Sequence, residues 1–140
     1  MAMSRRQLPY DLNSRSVLRG AAAYLAIAIP CGLIIGLVHG ADSSGNESGL
    51  WVLAAVVVIL VAPVVGGAVA ANDEPHAPLS HAAAAVGLPA TLFLLGRTIY
   101  GAANGTLTAA DVVSFLLYLL VFIGLAIGGG YLAFRRAQSR

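Results

Sequence analysis

Four side chains able to bind a divalent metal lie close together near the middle of the chain. They are Asp73, Glu74, His76 and His81. Carboxylates and imidazoles are common metal ligands, but this spacing matches no established metal motif. Two prolines in the same stretch make a rigid polar turn a sufficient explanation. We therefore expect no metal and no cofactor here, and a sensor loop that binds a metal or a partner protein remains as an alternative.

A second group of polar residues lies further along the chain. Apart from Arg19 at the very start of the first, Arg97 is the one charge inside a predicted membrane span, and an ionisable residue in such a place marks a functional site by default. Asp111 is a partner within plausible reach. The arginine could also extend to the lipid headgroups as an anchor, or contact a substrate or a lipid phosphate. Ser114 and Tyr118 lie four residues apart and so share a helix face, where they either bond neighbouring helices or line a narrow polar path.

Motifs of known enzymes are missing from the sequence. There is no G-x-S-x-G, no H-E-x-x-H, no phosphate-binding glycine loop and no second cysteine to pair with Cys31. The 8 basic residues are dispersed, which disfavours a nucleic-acid partner. The sequence therefore predicts a non-enzymatic protein with no catalytic residues and no cofactor. No family is recognised from these residues.

Small residues recur at the spacing used for helix packing in membranes. Gly32 and Gly36 lie one helical turn apart, as do Gly124 and Gly128. Gly66 adds a glycine on a third predicted helix. Lipid tails are as apolar as leucine, so membrane helices associate through close backbone approach, which glycine permits. These glycines are predicted to pack helices, either within the chain or against another protein.

The elements that carry these residues must lie in lipid. Charged residues make up 10% of the chain and hydrophobic ones 59%, whereas a soluble domain carries roughly a quarter charged residues. An aqueous surface cannot be covered with so few charges, but a surface that faces lipid needs none. The composition therefore predicts an all-α integral membrane protein.

Four apolar runs give the expected architecture. They cover about 17–38, 50–71, 79–100 and 112–134, each close to the roughly 20 residues that span a bilayer. The links between them are short, so consecutive helices should be antiparallel neighbours. The sequence thus predicts one transmembrane domain, residues 17–134, formed by two antiparallel hairpins. Ala21 to Ala23 recur as Ala82 to Ala84, which either tandem duplication or chance explains.

The arginines predict the orientation. Seven flank the first and last runs: Arg5, Arg6, Arg15, Arg19, Arg135, Arg136 and Arg140. The positive-inside rule then makes 1–16 a cytoplasmic segment and 135–140 a cytoplasmic basic tail. A lysine-free, alanine-rich composition is typical of GC-rich bacteria. We therefore expect a multi-pass protein of a bacterial plasma (inner) membrane.

Two functions are compatible with this architecture. The first is a non-enzymatic accessory or scaffold subunit that packs, through its glycine pairs, against a larger membrane complex or against itself. The second is a small homo-oligomeric transporter or channel for an ion or small solute. It would use the polar residues around Arg97 and helix kinks at Pro30, Pro63 and Pro89.

Overall fold

The prediction of an all-helical protein is confirmed. The computed structural model describes residues 12–41, 49–74 and 76–139, and the surroundings of the side chains at 36, 38–41 and 49–52 lie outside that description. Four helices account for nearly all of these residues: α1 (Ser14–Ala41), α2 (Gly49–Asn72), α3 (Pro78–Ala103) and α4 (Ala109–Gln138).

Each of the four helices is long and apolar enough to cross a membrane. Large apolar side chains cover the outside of the bundle. Leu92 and Phe93 of α3 are 71% and 73% exposed, and Leu120 of α4 is 70% exposed. Water is a poor solvent for such a surface, whereas hydrocarbon solvates it without cost. Length, composition and exposure together support a multi-pass membrane protein.

The helices extend beyond the apolar runs that predicted them. Helix α4 continues through Arg135 and Arg136 to Gln138, so most of the predicted basic tail is helical. The apolar run indicates only how much of the helix matches hydrocarbon. Arginine, alanine and glutamine are good helix formers, and basic residues in the last turn interact favourably with the helix dipole.

The prolines lie inside continuous helices. Pro30, Pro63 and Pro89 fall within α1, α2 and α3, and Pro63 is fully buried. Pro78 stands at the start of α3. A backbone N–H at this position would have no acceptor within the helix, so the lack of one in proline costs nothing.

Helices α2 and α3 occupy the centre of the bundle. Each contacts all three other helices, whereas α1 and α4 make no backbone contact over the described ranges. The rings of Tyr24 on α1 and Phe122 on α4 still meet edge to face, with centroids 6.4 Å apart. Tyr24 belongs to a small core with Ala62, Val86 and Ala126.

Glycine allows the tightest contacts between these helices. A Cβ added to Gly20 of α1 would lie 2.6 Å from the carbonyl oxygen of Gly66, and one added to Gly66 would lie 2.9 Å from that of Gly20. Helices α2 and α4 approach in the same way, because a Cβ on Gly67 would overlap the backbone of Ala126. Side chains at these positions would push the helices apart.

The two ends of the bundle are chemically different. The start of α1 meets the end of α2 and the start of α3, where Arg19 pairs with Asp73 and Asn13 bonds to His81. The last turns of α4 lie at the same end, since Gly130 packs near Ala71 and Ala82. We name this the termini end. The opposite end carries the connection between α3 and α4, residues 104–108, and is named the turn end.

Candidate polar site at the turn end

The structure brings the four residues of the predicted polar site together. Arg97 near the end of α3 and Asp111, Ser114 and Tyr118 in the first turns of α4 line one cavity of about 260 Å³. Thr98, Tyr100 and Thr106 add further hydroxyl-bearing side chains to its wall. These three were not predicted, although their place near the α3–α4 connection was visible in the sequence.

The end of α3 is closed by a Schellman motif that shapes this cavity. The Thr106 N–H donates to the carbonyl oxygen of Gly101 at 2.9 Å, and the Gly105 N–H donates to that of Ala102 at 3.2 Å. Gly105 has a φ of +66°, a left-handed conformation that costs other residues energy because their Cβ meets the backbone. The chain thereby reverses within a few residues and brings α4 back along α3.

A capping box starts α4 and engages Asp111. The Asp111 backbone N–H donates to the Thr108 hydroxyl at 3.2 Å, and the Asp111 Oδ2 accepts from the Thr108 N–H at 2.9 Å. The Thr108 hydroxyl also lies 2.6 Å from the same Oδ2. These bonds satisfy backbone donors that would otherwise have no partner at the helix start. Asp111 therefore caps its own helix.

The expected ion pair between Arg97 and Asp111 is not formed. Within the described part of the chain, the one ion pair joins Arg19 to Asp73. Asp111 Oδ2 is instead bonded to Thr108, which is only three residues away and is held beside it by the helix. Arg97 is exposed and lines the cavity, so its charge is available to an anion or to the headgroup region.

The cavity ends at the apolar core. Leu94 and Phe115 line it beside the polar residues. Two helical turns further along α3, Val86 packs with Ala62 and Ala126, and all three are 0% exposed. The site is thus a polar recess at one end of the bundle, suited to holding a small polar or anionic group rather than to conducting it through a single chain.

The residues considered as metal ligands have other partners at the termini end. Asp73 Oδ2 accepts from Arg19 Nη1 at 2.9 Å, and Glu74 Oε1 accepts from the Asn13 side chain at 2.6 Å. His76 is exposed. No group of three potential metal ligands occurs among the residues that the structure describes.

His81 is buried, with 1% of its surface exposed, and both ring nitrogens are bonded. Its Nε2 accepts from the Asn13 N–H at 2.8 Å, so the proton is on Nδ1, which donates to the Ala77 carbonyl oxygen at 2.7 Å. A nitrogen that accepts this bond has no lone pair left for a metal. The residue instead ties the segment before α1 to the start of α3.

The predicted packing glycines divide into two sets. Gly66 packs inside the bundle against α1, as described above. A Cβ added to Gly32, Gly124 or Gly128 would meet nothing within 4 Å, and all three face outward. Gly36 lies in α1, but its surroundings are outside the described side chains. The other close internal contacts depend on glycines that the sequence pattern did not single out, namely Gly20, Gly67, Gly129 and Gly130.

Comparisons with known proteins add no family. No family model, no curated protein and no solved structure matches the chain.

Proposed function

We propose that this protein is a non-enzymatic accessory or scaffold subunit, which packs in the membrane against a larger complex. The observation that supports this is the outward position of Gly32 on α1 and of Gly124 and Gly128 on α4, with no neighbour within 4 Å. Glycine inside a helix costs about 0.5–1 kcal/mol relative to alanine. A second helix seated on the exposed glycines would offset that cost through close backbone contact.

We place the protein in a bacterial inner membrane as two antiparallel hairpins with both termini in the cytoplasm. Arg15, Arg19, Arg135 and Arg136 support this orientation, because they belong to the same end of the bundle. The connection that contains Asp73 would also be cytoplasmic. The turn end, with Arg97, would then face outward.

The experiment that tests the accessory function compares exposed glycines on different helices. Gly124→Leu should abolish co-purification of the partner in mild detergent, while the variant itself stays folded, because a Cβ added there meets no atom within 4 Å and the position faces outward. Gly32→Leu tests the α1 face in the same way. Quantitative mass spectrometry of the purified complex gives the ratio of partner to subunit.

A matched control is available on α3. Gly96 is also helical and open, with nothing within 4 Å of an added Cβ, but it belongs to neither glycine pair. Gly96→Leu should leave the partner ratio unchanged. Equal co-purification from the Gly32, Gly124 and Gly96 variants would contradict the proposal.

A second candidate is a small homo-oligomeric transporter or channel, favoured by the cavity that gathers Arg97, Asp111, Ser114 and Tyr118. Because the core of one bundle is filled, the path would lie between copies. Arg97→Ala should then abolish solute flux into liposomes without loss of assembly, whereas Arg15→Ala at the other end should not. Absence of flux in the unmodified protein, across anions, cations and small solutes, would eliminate this candidate.

A further inference from the structure

A second cavity lies on the outside of the bundle, between α2 and α4. It is a groove of about 980 Å³. Val64, Ala68 and Val69 of α2 form one wall, and Leu132 and Ala133 of α4 form the other. Its floor is the tight contact at Gly129, where α4 approaches the backbone of Val64. Because Gly129 brings α4 against the backbone of α2 there, the side chains on either side of the contact leave a groove.

The groove changes character along its length. Its far part is apolar, whereas Asn72 of α2 and Arg135, Arg136 and Ser139 of α4 line it at the termini end. From Val64 to Asn72 the helix rises about 12 Å. One leaflet of a bilayer contributes about 15 Å of hydrocarbon. The whole groove is therefore shorter than one leaflet is thick and fits within it, with its two cations on the headgroup side.

From this arrangement we infer that the groove binds an anionic phospholipid of the leaflet at the termini end. An acyl chain would lie against Ala68, Val69 and Ala133. The phosphate would lie between the guanidinium groups of Arg135 and Arg136, which donate to phosphate oxygens in a planar fork. Asn72 provides an additional amide donor beside them.

Charge complementarity decides between a lipid and a protein as the occupant. A transmembrane helix seated in the groove would cover its apolar part but would leave two adjacent cations without a counter-charge. One anionic phospholipid fills both parts, because its headgroup would lie at the cationic end of the groove while its acyl chain lies along the apolar part. Basic pockets of this kind between membrane helices are suited to anionic headgroups.

The test uses the full chain, purified in a neutral detergent and titrated with either phosphatidylglycerol or phosphatidylcholine. Native mass spectrometry counts the bound lipid. The unmodified protein should prefer phosphatidylglycerol. Arg135→Ala and Arg136→Ala should each weaken its binding about fivefold, and the double variant about thirtyfold, with little effect on phosphatidylcholine. A loss of all preference in the double variant identifies the headgroup site.

Two matched controls separate the groove from general attraction. Arg15→Ala removes one positive charge at the same end but outside the groove, and it should change binding by less than about twofold at moderate salt. Ala133→Leu fills the apolar part and should weaken both lipids, whereas Ala26→Leu adds the same volume to an exposed position on α1 and should weaken neither. Circular dichroism confirms that each variant is folded.

Three results would overturn the inference. The first is equal binding of the two lipids by the unmodified protein. The second is an equal effect of Arg15→Ala and Arg136→Ala, which would indicate only a general field. The third is that Ala133→Leu abolishes co-purification of a partner protein and leaves the lipid preference unchanged.

Discussion

The two ends of the bundle are held together by different kinds of contact. At the turn end, the bonds of Gly105, Thr106 and Thr108 join residues no more than five positions apart. At the termini end, Asn13 and Arg19 also make bonds to residues that lie 54 to 68 positions away. One end is thus specified locally, and the other forms only when distant segments have already come together.

This difference has consequences for stability. Local motifs fix the direction in which the chain leaves a helix, and their loss should be tolerated by the rest of the bundle. A long-range contact such as that of His81 holds the segment before α1 against the start of α3. Its loss should therefore release the start of α1 from α3 as well as remove the bonds themselves.

The largest expected effect is at the termini end. His81→Ala should lower the free energy of unfolding by about 3 kcal/mol, because it leaves the Asn13 N–H without its partner and opens a cavity at a buried position. Unfolding in mixed micelles, followed by loss of helical circular dichroism, measures the change.

His76→Ala is the matched control for this prediction. It removes the same side chain five residues earlier at an exposed position, so its effect should stay within about 0.5 kcal/mol. Equal effects of the two histidine variants would mean that the long-range bonds contribute nothing to the free energy of unfolding. The proposed difference between the two ends would then be wrong.

An intermediate effect is expected at the turn end. Gly105→Ala should cost about 1–2 kcal/mol, since the left-handed conformation is strained for any residue with a Cβ. Gly96→Ala is the control inside α3, where a Cβ added to the helical glycine would meet nothing within 4 Å. It should stabilise by about 0.5–1 kcal/mol. Changes of the same sign in both variants would contradict a specific role of the turn.

The smallest effect concerns the ion pair of Arg19 and Asp73. The arginine side chain is 54% exposed, and exposed pairs contribute about 0.2–1 kcal/mol. A double-mutant cycle with Arg19→Ala and Asp73→Ala should give a coupling energy of about 0.5 kcal/mol that declines with salt. A coupling larger than that of the His81–Asn13 contact would reverse the proposed ranking at the termini end.

Much of the candidate site could be predicted from local spacing. Ser114 and Tyr118 share a helix face, and Arg97 faces them across a short connection, so their meeting in one cavity follows from helix geometry. The partner of Asp111 could not be predicted from spacing, because Arg97 was one candidate within reach. Thr108, three residues before Asp111, was the other candidate. The structure shows the capping bonds to Thr108 and no ion pair between Asp111 and Arg97.

The packing glycines show the limit of sequence reasoning more clearly. Gly124 and Gly128 form a regular pair, yet they face outward, and the internal contact uses Gly129 beside them. Adjacent helical positions point about 100° apart, so a shift of one residue moves a glycine from the lipid face to the core. Spacing along one helix does not show which of its faces another helix will cover.

The sequence by itself determined that the protein has four apolar helices and about where each lies, because the hydrocarbon requires long uncharged runs and satisfied backbone groups. Turns such as Asn104–Thr108 were determined with them, since their bonds are local. The tertiary structure alone decided which glycines lie in the core, that His81 is bonded to Asn13, and that Arg135 and Arg136 border a groove. These features depend on the relative rotation and position of whole helices, which only their mutual packing sets.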